Sequence, residues 1–81
     1  MFQLAQGERI DWFRILIDLD RSGMHVSVIS VRIGIPQGTI KGWKARTGRP
    51  RVEEGMQLID LWVQQCKRSY QDVPRYNPYR H

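Results

Sequence analysis

Glycine and proline residues divide this 81-residue chain into four short segments and a tail, which restricts the fold to small elements joined by tight connections. The breaks fall near Gly23, at Gly34–Pro36 and at Thr47–Pro50, and the tail follows Tyr70. No apolar run exceeds three residues, so no segment is predicted to cross a membrane. A chain of this size forms one domain with one modest core and no deep cofactor cavity. We therefore expect no cofactor.

The first and last segments have the apolar spacing of helices. In residues 7–21 the apolar side chains recur every three or four positions, as at Trp12, Leu16 and Leu19. The stripe from Val52 to Cys66 in residues 52–70 is the clearest in the chain. We predict a helix in each segment, with the three tryptophans in the core.

The second segment, residues 26–33, is ambiguous. Its β-branched residues alternate, which favours a strand, but they also have helical spacing. The third segment, residues 37–46, begins after Pro36 and carries Ile40 and Trp43 three positions apart, as in a helix. We choose a helix for residues 26–33 because two short helices joined by a tight turn then describe a helix-turn-helix unit.

The positions around Gly34 fit that unit. With Gly34 as the turn residue, apolar or small residues fill every position that must face the core. These positions are Ile29, Ser30, Ile33, Ile35, Ile40 and Trp43.

Positive charge is concentrated in the second half of the chain. Residues 1–40 have a net charge of zero, whereas residues 41–81 carry the whole net charge of +5. Residues 41–51 contain five basic residues and no acidic one. Such a run is typical of a surface that binds a polyanion, although a solvated basic loop has the same composition.

The run from Gly23 to Lys44 resembles the helix-turn-helix of the Cro/C1-type (XRE-like) family of phage and bacterial repressors. The continuation Gly48–Arg51 also fits that family, and the resemblance covers about residues 10–65. It implies an all-α, compact four-helix helix-turn-helix domain, lambda-repressor-like, over residues 1–70. Residues 71–81 are expected to form an extended, flexible tail rich in basic residues, tyrosine and proline.

The resemblance also implies where DNA is bound. Base contacts would come from the exposed part of the second helix of the unit, at Gln37, Gly38, Lys41, Gly42 and Lys44. Phosphate contacts would come from Thr39, Arg46, Arg49 and Arg51. The two glycines would let the backbone approach the groove, or they merely mark a frayed helix.

These expectations describe a sequence-specific, double-stranded-DNA-binding regulator that acts by occupying its operator. One such helix reads only a few base pairs, so a homodimer on a two-fold site is expected. Its interface would be the broad apolar face of the last helix, unless the domain's own core uses that face; the residues are Leu58, Leu61 and Trp62. We expect a cytoplasmic, nucleoid-associated protein that is not an enzyme and binds no metal.

The sequence is also compatible with other functions. The chain could instead be the DNA-recognition head or assembly adaptor of a phage or transposition machine, similar to a small terminase subunit, that docks a protein partner. RNA binding would also fit the positive charge, but the basic run of this chain lacks the interleaved exposed aromatic residues expected for it. The tail could be disordered, insert an arginine into a minor groove, or dock a partner. Cys66 is expected to be buried, and His25 and His81 to lack partners suited to catalysis.

Overall fold

A computed structural model describes residues 9–77 as a mostly helical domain. Four α-helices and one short 3₁₀ helix make up most of this part of the chain, and a two-stranded sheet joins its ends. In chain order the elements are β1 (Arg9–Ile10), α1 (Trp12–Arg21), α2 (Val26–Ile33), α3 (Gln37–Lys44), α4 (Val52–Cys66), the 3₁₀ helix (Tyr70–Asp72) and β2 (Arg75–Tyr76). No helix among these residues is long and apolar enough to cross a membrane.

The predicted helix over residues 26–33 is confirmed as α2. Gly34 ends it in the left-handed conformation, with φ 70°, which a residue without Cβ adopts at no steric cost. The carbonyl of Ser30 accepts hydrogen bonds from the backbone N–H of Gly34 at 2.9 Å and of Ile35 at 3.2 Å. Burial of Ile29 against the other helices outweighs the preference of its β-branched neighbours for strands.

The core lies between α1, α4 and the α2–α3 pair, and the C-terminal segment closes it through Val73. One of its two buried tryptophans is Trp62 of α4, which is 2% exposed and whose indole Nε1–H donates to Asp18 Oδ2 at 3.1 Å. Ile29, Ile40 and Trp43 are buried as predicted.

The face of α4 predicted to pair two copies belongs to this core. Leu58, Leu61 and Trp62 are 0%, 6% and 2% exposed, so they present no surface to a second chain. Of the two uses that the sequence allowed for this face, the structure shows the second: the face belongs to the domain's own core. The physical reason is that α1 packs along α4 and covers it.

The structure differs from the prediction of a flexible tail over residues 71–77. Val73 is buried, and the carbonyl of Pro74 accepts a 2.8 Å hydrogen bond from the backbone N–H of Asp11. Strand β2 then pairs with β1 in antiparallel register, with Arg75 opposite Ile10. The domain therefore extends beyond residue 70 and contains a small sheet; residues 78–81 of the predicted tail lie outside the described part of the chain.

Tyr70 fixes the start of this C-terminal segment. Its hydroxyl donates a hydrogen bond to Asp60 Oδ1 on α4, and this bond raises the pKa of Tyr70 because the carboxylate favours the protonated phenol. The segment leaves α4 at Lys67, which adopts a left-handed conformation with φ 54°.

Candidate nucleic-acid interface

Helix α3 lies on the domain with one face buried and the other open. Ile40 and Trp43 pack into the core, where they are 0% and 3% exposed. Pro36 precedes the helix, and its carbonyl accepts the first helical hydrogen bonds, from the backbone N–H of Thr39 and of Ile40. Since a helix places residues three and four apart on one face, burial at these two positions leaves the opposite side of α3 to solvent.

Three of the five predicted base-contacting residues lie on exposed parts of α3. Gln37, Gly38 and Lys41 are exposed, and a Cβ added at Gly38 would meet nothing within 4 Å. They form the reading face of α3, defined here as Gln37, Gly38 and Lys41.

The other two predicted base contacts are half-buried at the edges of this face. The carbonyl of Gly42 accepts hydrogen bonds from the backbone N–H of Thr47 at 2.9 Å and from its Oγ1 at 3.1 Å. Gly42 therefore supports the turn that follows α3. Lys44 lies near Asp20 of α1, whose pKa is lowered mainly by its hydrogen bond with His25 and to a smaller extent by the charge of Lys44. These two residues therefore border the reading face without being fully exposed.

The predicted phosphate-contacting residues are all exposed. Thr39 lies in the first turn of α3, and Arg46, Arg49 and Arg51 follow the helix in the connection to α4. None of the three arginines forms an ion pair with another residue of the described range 9–77. No carboxylate within those residues neutralises their charges.

The guanidinium group of Arg46 lies over an aromatic ring. Its backbone adopts a left-handed conformation with φ 64°, and its guanidinium carbon lies 4.8 Å from the centre of the Phe13 ring. This is a cation–π contact, which orients the side chain without neutralising its charge. The contact joins the segment after α3 to the first turn of α1.

A basic cleft lies beside this contact and was not predicted. It has a volume of about 320 Å³, and Arg9, Arg46 and Arg49 line it together with Asp11, Tyr76 and the rings of Phe13 and Trp12. Arg9 is 37 positions before Arg46 in the chain. Only the pairing of β1 with β2 and the fold of α1 bring the two together, so local sequence patterns held no signal for this cleft.

His25 has a carboxylate partner that the sequence analysis missed. Its Nδ1 forms a hydrogen bond with Asp20 Oδ1, and this bond is the main reason why the pKa of Asp20 is lowered. The contact ties the end of α1 to the start of α2 and so supports the position of the α2–α3 pair. A separation of five residues across the Gly23 turn is not a helical spacing, which explains the omission.

Cys66 is half-buried at the end of α4, and burial raises the pKa of its thiol. Within residues 9–77, no cluster of histidine, cysteine and acidic side chains could hold a metal ion.

No protein-family model, curated protein or solved structure was found to match this chain. Inferences about its function therefore depend on its own residues and their geometry.

Proposed function

We propose that the chain is a sequence-specific double-stranded-DNA-binding protein in which α2 and α3 act as a helix-turn-helix unit of the Cro/C1 type. One observation carries the proposal: the open reading face of α3 is followed directly by three exposed arginines without ion-pair partners in the described residues. A helix fits the major groove of B-DNA, and cations next to it hold the flanking phosphates. Helix α3 then lies in the groove.

The chemistry of the reading face suits base edges. The amide of Gln37 can form two hydrogen bonds with adenine, at N6 and N7, and the ammonium of Lys41 can donate to guanine O6 and N7. Both side chains are exposed. Arg46, Arg49 and Arg51 then position the protein on the backbone without distinguishing sequences.

Specific binding by this unit requires a second copy. The eight residues of α3 span about 12 Å, which covers only a few base pairs. A homodimer on a two-fold site doubles the sequence that is read. Because Leu58, Leu61 and Trp62 are in the core, the contact between copies uses another surface.

In this proposal the protein acts by occupying its binding site on DNA. A domain of this kind in the cytoplasm, associated with the nucleoid, excludes other proteins from an operator and needs neither a catalytic group nor a cofactor.

Alanine at Gly38 tests whether this glycine allows close approach to DNA. The change should raise the free energy of unfolding by roughly 0.5–1 kcal/mol, because alanine is the better helix former and its Cβ meets nothing in the free protein. It should weaken duplex binding by about tenfold, since an added methyl group in a close interface costs at least about 1 kcal/mol. Urea denaturation and fluorescence anisotropy measure the two effects. Unchanged affinity in the stabilised variant would mean that Gly38 only loosens the helix.

Alanine at Lys41 and at Arg49 separates base recognition from phosphate binding. Lys41→Ala should reduce discrimination at one base pair by roughly 1–3 kcal/mol, whereas Arg49→Ala should weaken binding to all sequences alike. The preferred site is first selected from a random duplex pool, and single-base variants of it are then titrated with each protein.

Each variant serves as the matched control for the other, because both remove one exposed cation. A uniform loss of affinity in both would show that α3 does not read bases. No binding of the unchanged protein to any duplex would refute the proposed function.

A further inference from the structure

The basic cleft combines cations from two distant parts of the chain. Arg46 and Arg49 come from the connection after α3, whereas Arg9 comes from β1, which is held in place by its pairing with β2. The cleft therefore joins the basic connection after α3 to the terminal sheet.

Few carboxylates neutralise the arginines of the cleft. Asp11 is the only acidic residue that lines the cleft, and its Oδ1 already accepts a 3.1 Å hydrogen bond from the backbone N–H of Arg14 at the start of α1. No ion pair within residues 9–77 involves Arg9, Arg46 or Arg49. Three positive charges thus face one partly engaged carboxylate.

The walls of the cleft suit an anion such as a phosphate. Guanidinium groups bind phosphate oxygens through paired hydrogen bonds, and the contact with Phe13 favours an Arg46 side chain that lies along the wall of the cleft. The ligand chemistry is therefore anionic and rich in hydrogen-bond acceptors, as in a phosphodiester.

We propose that this cleft binds a backbone phosphodiester of the DNA, with Arg9 as a phosphate contact outside the helix-turn-helix unit. The inference rests on the proposed function and adds to it: the terminal sheet becomes part of the DNA-binding surface. DNA is the favoured source of the phosphate because Arg46 and Arg49 directly follow the helix that lies in the groove.

The test compares the salt dependence of duplex binding in charge variants of Arg9. Fluorescence anisotropy with a labelled duplex of mixed sequence gives the association constant at several salt concentrations. Each phosphate contact contributes about −0.9 to the slope of log K against log salt concentration. Arg9→Gln should therefore make the slope shallower by about 0.9. By counterion release alone, it should weaken binding roughly fifteenfold at 50 mM salt and roughly fourfold at 200 mM.

Two further variants separate charge from structure. Arg9→Lys keeps the charge and should keep the slope of the unchanged protein. Arg68→Ala removes an exposed cation just beyond the end of α4, outside the cleft, and should leave the slope unchanged. Circular dichroism establishes that each variant is folded. The side chain of Arg9 is dispensable for the sheet, because β1 and β2 pair through their backbones.

A slope for Arg9→Gln equal to that of the unchanged protein would overturn the inference and leave the proposed function intact. The same result is expected if the cleft binds a free phosphorylated molecule instead of DNA. If the unchanged protein fails to bind any duplex, the proposed function fails, and this inference fails with it.

Discussion

Replacement of Trp62 by alanine is expected to lower the free energy of unfolding by about 3–5 kcal/mol. Trp62 is the largest fully buried side chain in the described residues, and its indole N–H is bonded to Asp18 on α1. The variant leaves a cavity between α1 and α4 and a half-buried carboxylate without its donor.

A loss of this size removes much of the domain's stability. At about 0.05–0.15 kcal/mol per residue, a chain of 81 residues has a total of roughly 4–12 kcal/mol. Urea denaturation followed by circular dichroism measures the difference. Val52→Ala is the control, because Val52 is in the same helix but 84% exposed, and it should change stability by less than about 0.5 kcal/mol. Equal stability of Trp62→Ala and the unchanged protein would contradict the packing of α4 on α1.

A rise in salt from 50 to 200 mM is expected to weaken duplex binding by about 500-fold. This figure follows from about five neutralised phosphates, which give a slope of about −4.5 in log K against log salt concentration. The five cations are the basic residues of positions 41–51. All but the half-buried Lys44 are exposed, and none has an ion-pair partner among residues 9–77, so we expect each to release a counterion from DNA.

Anisotropy titrations at several salt concentrations measure this slope. The midpoint of urea denaturation at both ends of the salt range serves as the control, because a fall in affinity caused by unfolding would appear there as well. A flat salt dependence would contradict the assignment of the basic run to phosphate binding.

The helices could be predicted because their information is local. The apolar stripe of α4 repeats within the segment itself, and Ile40 with Trp43 defines the buried side of α3. Gly34 marks the turn because few other residues adopt its left-handed conformation easily. Helix α2 was the difficult case, since its β-branched residues favour a strand and only the adjoining turn and helix decided the choice.

The remaining features depend on contacts between distant residues. The packing of Val73 and the pairing of β2 with β1 join the two ends of the described chain, and neither end has a periodic pattern of its own. For the same reason the sequence could not place Arg9 beside Arg46. The face of α4 was ambiguous in the sequence because a dimer surface and a domain core require the same apolar residues.

The central claim is that α3 reads DNA, and an NMR titration tests it most directly. The isotopically labelled protein is titrated at low salt with a short duplex of mixed sequence, and the amide chemical shifts are followed. We expect the largest shifts in residues 37–46, with the core of α4 unmoved. Shifts confined to other parts of the chain, or none at all, would contradict the assignment of α3 as the helix that reads DNA.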